Sequence, residues 1–238
     1  LPGKINAAFA FGGAPLLIQT LEEKTNLQID HYIEVSFAGF TGIVDALGGI
    51  EVCSKVAIND PKSHLVMAAG THTLGGIEAL KYVRTRDFDG RGDIGRMERQ
   101  QQFVGAVLRK ATSSGVLLNP IKLTNFYNAA ISSVKMDAGV TKNDLLTLAK
   151  QLRNLSSGNV RTLTVPISNP NGRHPTAGSV VIWDDVLAAN LWTKIRNDEA
   201  LLETVKPTAS ASAKPVTIDK FKTKTAADNP CAAIDSRA

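Results

Sequence analysis

HYIEVSFAGFTGIVDALGGIEVCSKV, residues 31–56, contains a strand, a helix and a second strand in immediate succession. Apolar and polar residues alternate at 31–37, as they do in a strand with one buried face. A short helix follows at about 40–47, and the Gly-Gly pair at 48–49 turns the chain into a second strand at 50–56. Helices and strands that alternate this closely predict the α/β fold class.

Outward from this stretch, the chain continues to mix helices and strands without a strict βαβ rhythm. We therefore expect a mixed sheet covered by helices, in one domain over residues 1–205. From Val205 onward the sequence VKPTASASAKP is typical of a linker, so residues 206–238 are expected to form a poorly packed tail. Helices are predicted at 14–25, 74–83, 94–112, 119–132, 141–154 and 184–197, and further strands at 159–165 and 180–183.

The composition excludes several classes of protein. Of the 238 residues, 43% are hydrophobic and 21% are charged, which is incompatible with wholesale disorder. Two Trp, three Tyr and eight Phe are too few for a platform that stacks single-stranded nucleic acid. No apolar run reaches the roughly 18 residues of a membrane helix. The chain opens with LPGK, without Met or a signal peptide, so we expect it to be the interior of a longer protein with any membrane anchor upstream.

Positive charge is concentrated in one short segment. Residues 1–80 carry four Lys and eight acidic residues, whereas residues 81–110 carry eight basic and four acidic residues. Six of those eight cations are Arg, whose planar guanidinium matches phosphate and carboxylate oxygens. This distribution indicates a local anion site and argues against a nucleic-acid-binding surface spread over the fold.

The sequence YVRTR at 82–86 places two arginines two residues apart. In an extended segment Arg84 and Arg86 would point to the same side, where two guanidiniums repel each other unless an anion lies between them. The alternative is that both are solvated surface residues paired with Asp87 and Asp89, because exposed ion pairs are common and individually weak.

The sequence GDIGRMERQQQF at 92–103 places Asp93, Arg96 and Gln100 on one face of a predicted helix. Asp93 could be a hard oxygen ligand for a divalent cation, with Arg96 and Gln100 holding phosphate oxygens. Because Asp93 also lies where the helix begins, capping of the helix is an equally ordinary role for it.

Four motifs together resemble the LytR-CpsA-Psr family, in its actinobacterial form. They occur in the order and spacing of that family, and residues 111–200 are similar to the rest of its domain. The motifs are KINAAFAFGGAPLLIQTLE (4–22), IDHYIEVSFAGFTGIVDALGGIEV (29–52), AGTHTLGGIEALKYVRTR (69–86) and GDIGRMERQQQF (92–103).

The resemblance implies a phosphotransferase of bacterial cell-wall assembly. Such enzymes transfer a glycopolymer, for example a teichoic acid, a capsule chain or arabinogalactan, from a polyprenyl-pyrophosphate carrier to peptidoglycan. They work on the extracytoplasmic face of the cell membrane, to which an N-terminal anchor holds them. The implied fold is an α/β/α sandwich around a mixed sheet, with an apolar tunnel for the prenyl chain.

The resemblance also implies roles for individual residues. Asp93 matches a position associated with Mg²⁺ or another divalent cation, although the family carries further Asp ligands and Arg residues in an upstream segment that this sequence does not contain. The arginines that match catalytic positions of the family are Arg84, Arg86 and Arg96. The residues that match its pyrophosphate-binding positions are Lys4, Arg84, Arg86, Arg96 and Gln100.

Two other functions remain compatible with the same residues. A non-catalytic module that binds polyprenyl phosphate or glycopolymer would keep the arginines and lack the metal site. A prenyl pyrophosphatase would use water in place of the sugar acceptor at the same site.

Cys53 and Cys231 are the two cysteines of the chain. An even number of cysteines, in a family that works outside the cytoplasmic membrane, favours pairing. We therefore predict a Cys53–Cys231 disulfide that holds the tail against the sheet domain. Two free thiols or an intermolecular bridge are the alternatives.

Overall fold

The computed structural model of this chain describes residues 3–86, 88–113, 124, 128, 134–152, 160–205, 216–218, 221, 223–225 and 231. The chain forms two compact units, each built from two separate stretches. The first unit consists of Leu1–Tyr32 with Leu163–Thr223, and the second of Ile33–Thr162 with Lys224–Ala238.

Helices and strands alternate along both units. The described helices are α1 (Ile5–Thr25), α2 (Phe37–Ala46), α3 (Gly76–Arg84), α4 (Gly92–Ser113), α5 (Lys142–Leu152) and α6 (Asp185–Arg196). The described strands are β1 (Ile33–Val35), β2 (Ile50–Ser54), β3 (Ile58–Asp60), β4 (Leu65–Met67), β5 (Gly70–Leu74), β6 (Val134–Met136), β7 (Arg161–Thr162), β8 (Ile167–His174), β9 (Gly178–Trp183), β10 (Glu203–Val205), β11 (Val216–Ile218) and β12 (Lys224–Thr225).

The strand–helix–strand order predicted for residues 31–56 is confirmed by β1, α2 and β2. The helix begins three residues earlier than predicted, because the Ser36 hydroxyl accepts a hydrogen bond from the Gly39 N–H at 3.0 Å. In β1 the apolar side chains of Ile33 and Val35 are 45% and 44% exposed. The alternation at 31–37 therefore predicted the strand correctly, but the apolar side of the strand is not buried.

The core of the second unit lies between α2, α3, α4 and the strands β2 to β5. Residues Ile50, Val52 and Ser54 of β2 face inward, since alternate side chains of a strand point to opposite sides. Asp45, at the end of α2, accepts a hydrogen bond from the Gly76 N–H at 2.7 Å and so satisfies the first turn of α3. The buried apolar cluster consists of Val44, Leu47, Ile50, Val52, Ile58, Leu65, Met67, Leu74, Ala79, Tyr82, Val83, Phe103 and Ala106.

All strand pairs among the described residues are antiparallel and two-stranded. Strand β2 pairs with β5 from Ile50 opposite Leu74 to Ser54 opposite Gly70. Strand β3 pairs with β4 in a hairpin whose turn contains His64 at a positive φ of 56°. The remaining pairs are β1 with β6, β7 with β12, β8 with β9, and β10 with β11.

The first unit is built on α1, the β8–β9 hairpin and α6. A kink at Gly12 and Gly13 interrupts α1, and a regular helix follows it. This confirms the helix predicted at 14–25, while the helical conformation of residues 5–11 was not predicted. The guanidinium of Arg196, at the end of α6, donates to the Thr25 and Asn26 carbonyls at 3.0 and 2.8 Å and so ties α6 to the end of α1.

Local capping signals in the sequence are confirmed. Thr141 and Asp144 form the reciprocal hydrogen bonds of a capping box at the start of α5. The Asp184 carboxylate accepts from the Leu187 N–H at 3.0 Å and begins α6. The helix predicted at 119–132 lies almost entirely outside the described residues.

The predicted disulfide joins Cys53 in β2 to Cys231, with a Cα–Cα distance of 5.6 Å. Cys231 is fully buried. The described part of the tail also supplies β11 and β12, which pair with β10 and β7. These parts of the tail therefore pack against the rest of the chain, and the division at residue 205 stays a prediction.

Candidate anion-binding site

Three predicted residues lie together at the start of α4. The Arg86 guanidinium donates to the Asp93 carboxylate through Nη2 and Nε, each at 3.0 Å. Arg96 contacts the same carboxylate at 2.8 Å, from one helical turn further along α4. We call these three residues the Arg86 cluster. The side chains of Arg86 and Asp93 are 46% and 51% exposed, so the cluster is open to solvent.

Arg84 and Arg86 do not point to the same side of an extended segment. Arg84 is the last residue of α3, and its guanidinium lies 5.3 Å from the centre of the Phe37 ring. The chain becomes extended at Thr85, and only then reaches Arg86. The condition for that arrangement, an extended YVRTR segment, is not met, because the helix continues through Arg84.

The two other residues predicted to bind the pyrophosphate, Gln100 and Lys4, lie in different units of the chain. Gln100 donates from Nε2 to the Val83 carbonyl at 3.1 Å, and so holds α4 against the end of α3. Lys4 is exposed immediately before α1 and belongs to the first unit, whereas the arginines belong to the second.

Arg86 is an exposed, ion-paired residue, as the ordinary alternative expects, but its carboxylate partner among the described residues is Asp93. The Asp93 carboxylate contacts two guanidiniums and no backbone N–H of the described residues, so it does not cap α4. Asp89 pairs with Arg91 and Arg99 rather than with Arg86. Asp87 lies outside the described residues.

Asp93 is the acidic residue of the Arg86 cluster and the predicted metal ligand. No group of three His, Cys, Asp or Glu side chains able to hold a metal ion occurs in the part of the chain that the structure describes. Asp93 is a single carboxylate, and both of its oxygens contact guanidiniums. Mg²⁺ usually keeps several waters and takes one or two protein carboxylates, and Asp93 as a magnesium ligand stays a prediction.

A second charged group, which sequence reasoning missed, lies on another side of α4. The side chain of Arg99 is 5% exposed and contacts Asp89 at 3.1 Å. Arg91 contacts Asp89 at 2.9 Å and Glu98 at 2.6 Å. We call these four residues the Arg99 cluster. The density of arginines at 81–110 was the available signal, but the sequence does not tell which of them are buried.

Burial and pairing shift the pKa values in the Arg99 cluster. Burial lowers the pKa of Arg99, and the charge and hydrogen bond of Asp89 oppose that shift. Burial alone would raise the pKa of Asp89, but hydrogen bonds from Arg91 and the charges of Arg91 and Arg99 lower it below its usual value. Nearby, burial raises the pKa of Tyr82 to about 12, with a smaller opposing effect of the Arg99 charge.

A cavity of about 570 Å³ lies beside the Arg99 cluster. Segments of β2, α4, β7 and β12 line it, and its wall includes the disulfide residue Cys53. None of the predicted residues Arg84, Arg86, Asp93, Arg96 and Gln100 is in that wall. The cavity and the Arg86 cluster are therefore two separate features of the second unit.

A model of the LytR_cpsA_psr family matches residues 2–197. The chain belongs to the LytR-CpsA-Psr family. Similar proteins in the family include the cell wall biosynthesis protein LcpA of Corynebacterium glutamicum, which is 40% identical over 168 residues, covering 71% of this chain and 32% of LcpA. The teichoic acid transferase TagU of Bacillus cereus is 35% identical over 153 residues, covering 63% of this chain and 47% of TagU.

Structural similarity to the LytR-CpsA-Psr family extends over most of the chain. The crystal structure of TagV from Bacillus subtilis superposes with a TM-score of 0.69 at 26% identity, covering 83% of this chain and 75% of TagV. This similarity confirms the predicted α/β fold class.

The chain spans about a third to a half of the length of the relatives LcpA and TagU. No helix among the described residues is long and apolar enough to cross a membrane.

Proposed function

We propose that the protein is a cell-wall phosphotransferase that moves a phosphorylated glycopolymer from a polyprenyl-pyrophosphate carrier to peptidoglycan. The observation that carries this proposal is the convergence of Arg86 and Arg96 on Asp93 at the surface of α4. Family membership supports the reaction class, because the relative TagU is named a polyisoprenyl-teichoic acid–peptidoglycan teichoic acid transferase.

The Arg86 cluster has the charge that a pyrophosphate group needs. Two guanidiniums against one carboxylate leave one net positive charge, and Arg84 adds another from the end of α3. Asp93 holds the two guanidiniums together, which would otherwise repel each other when no ligand is bound. A pyrophosphate can replace these contacts with its own oxygens, because Arg binds phosphate and carboxylate through the same planar geometry.

The chemistry requires positioning and charge stabilisation more than covalent help from the protein. A hydroxyl of the acceptor sugar attacks the phosphorus that carries the glycopolymer, the bond to the bridging oxygen breaks, and the hydroxyl proton passes to water. The leaving group is polyprenyl phosphate, whose new negative charge Arg86 and Arg96 stabilise. Arg84 at the end of α3 and Gln100 in α4 would orient the pyrophosphate, and Lys4 stays a predicted phosphate contact.

Three parts of the proposal concern the whole protein. Mg²⁺ would neutralise charge on the pyrophosphate, with Asp93 as one ligand beside further carboxylates. An apolar tunnel would hold the prenyl chain. An anchor upstream of this sequence would keep the protein at the extracytoplasmic face of the membrane, within the cell envelope in which its relatives build the wall.

Transfer is tested by incubating the full-length protein with lipid-linked glycopolymer, Mg²⁺ and peptidoglycan fragments. We expect radiolabelled glycopolymer to become attached to the fragments, and attachment to be lost in an Arg86→Ala variant. Release of phosphate without attachment would identify a prenyl pyrophosphatase instead. Binding of the lipid without any turnover would identify a non-catalytic binding module.

A further inference from the structure

We propose that Asp60 and Arg99 act as positioning residues that clamp the peptide bond between Thr85 and Arg86, and thereby fix the arginines of the anion site. The proposal rests on the proposed function and adds two residues to it. Neither residue belongs to the motif positions implied for the pyrophosphate, and both contact the backbone beside those positions.

Asp60 holds the N–H side of this peptide bond. It is the last residue of β3 and is 1% exposed. Its Oδ2 accepts a hydrogen bond from the Arg86 N–H at 2.7 Å. Its Oδ1 accepts from the N–H groups of Lys62 and Ser63 at 2.8 and 3.2 Å, which fixes the carboxylate in the turn after β3.

Arg99 holds the carbonyl side of the same peptide bond. Its Nη2 donates to the Thr85 carbonyl, and its Nη1 donates to Asp89 at 3.1 Å. The guanidinium also stacks on the Phe88 ring, 4.6 Å from its centre. Since Arg99 is nearly fully buried, its position is determined by these contacts rather than by solvent.

The clamp lies between the two arginines that it positions. Arg84 is one residue before the clamped peptide bond, and Arg86 immediately follows it. Thr85 is itself fully buried, and its hydroxyl donates to the Tyr82 carbonyl at 2.8 Å. The backbone at this point therefore cannot rotate without breaking charge-assisted hydrogen bonds on both sides. We infer that this rigidity directs the exposed Arg86 side chain toward Asp93.

An Asp60→Asn variant tests the N–H side of the clamp at nearly constant shape. If the amide oxygen keeps the Lys62 and Ser63 contacts, the amide NH₂ faces the Arg86 N–H, and two donors meet. An Arg99→Lys variant tests the carbonyl side, because one ammonium group cannot reproduce the fork that contacts both Thr85 and Asp89. Ile58→Val is the matched control, since Ile58 is equally buried in β3 and its side chain has no hydrogen-bonding group.

The measurement is the dissociation constant for farnesyl pyrophosphate by isothermal titration calorimetry, at a temperature well below the unfolding midpoint of every variant. We expect both clamp variants to bind about tenfold more weakly than the wild type, and Ile58→Val to bind within about twofold of it. Crystal structures of the same variants should show the Arg86 guanidinium displaced from Asp93.

Unchanged affinity and an Arg86–Asp93 contact retained in a folded clamp variant would overturn the proposal. An equal loss of affinity in Ile58→Val would also overturn it, because the effect would then follow stability in general. If the wild type does not bind farnesyl pyrophosphate, the proposed function fails, and the position of Arg86 in the variant structures still decides whether the clamp exists. A single folded clamp variant is sufficient for that decision.

Discussion

The Arg86 cluster and the Arg99 cluster are built from the same residue types within one short segment, yet they differ in exposure. The Arg86 side chain is 46% exposed and shares Asp93 with Arg96, whereas the Arg99 side chain is 5% exposed and pairs with Asp89. A solvated pair can exchange its partner for a ligand at little cost, but a buried charge that loses its partner stays uncompensated. The comparison supports the two proposals, ligand binding by the Arg86 cluster and positioning by Arg99 of the other cluster.

Removing the disulfide should have the largest effect on stability, and it should leave ligand binding at the Arg86 cluster unchanged. The bridge spans 178 residues, and the loss of chain entropy in the unfolded state gives an upper value of about 5 kcal/mol. We expect a Cys53→Ala/Cys231→Ala variant to unfold at a clearly lower temperature, measured by circular dichroism. Below that temperature, farnesyl pyrophosphate binding should be retained. Addition of a reductant to the double variant is the control and should change nothing further.

Arg99→Met should be the next largest change. The substitution leaves Asp89 and the Thr85 carbonyl without their buried partner, which costs about 3–5 kcal/mol of unfolding free energy. Urea denaturation measures this loss. Arg86→Met is the matched comparison and should change the unfolding free energy by less than about 1 kcal/mol, because its ion pair is exposed. Similar values for the two variants would contradict the distinction between the clusters.

Tyr82, which lies beside the Arg99 cluster, should make the free energy of unfolding depend on pH above pH 10. Its hydroxyl donates to the Cys53 carbonyl at 3.1 Å, and burial raises its pKa to about 12. Above pH 10 the unfolded tyrosine loses its proton while the folded one keeps it, so stability is complete below pH 10 and falls as the pH rises toward 12. The loss should reach about 2–3 kcal/mol, measured by urea denaturation between pH 9 and 11.5. In Tyr82→Phe this part of the pH dependence should disappear.

Arg86→Ala and Arg96→Ala should weaken binding without unfolding the protein. Each removes one charge-assisted contact to a pyrophosphate, which corresponds to about 1.5–3 kcal/mol of binding free energy. Calorimetric titration with farnesyl pyrophosphate measures the loss, and thermal unfolding confirms that the fold is intact. Arg173→Ala removes an exposed arginine of the first unit and serves as the charge-matched control. Normal binding by both site variants would remove the anion-site interpretation.

Asp93→Asn should have the smallest effect on stability, less than about 1 kcal/mol, because the carboxylate is 51% exposed. The amide keeps most of the shape and loses the charge. We therefore expect Mg²⁺-dependent turnover to fall more than binding of the lipid substrate does. Turnover and affinity are measured on the same preparation. Full turnover in the variant would mean that the carboxylate charge of Asp93 is not used in the reaction.

Elements with local signals could be predicted from the amino-acid sequence. The capping box of Thr141 and Asp144, the Asp184 cap, and the shared helix face of Asp93 and Arg96 all depend on residues three or four positions apart. The motifs of the LytR-CpsA-Psr family also indicated the fold class, and they predict the residues proposed for the anion site. The disulfide was predictable because only two cysteines are present.

The burial of individual arginines and their partners could not be predicted from the sequence, because both depend on contacts between distant segments. Asp60 and Arg86 are 26 residues apart in the chain, and Asp45 reaches Gly76 across 31 residues. Six arginines of similar local surroundings occur at 81–110, and their spacing does not tell that Arg99 faces the core. The physical reason is that burial of a charge depends on what other elements pack around it. A short window of sequence contains the helix but not its neighbours.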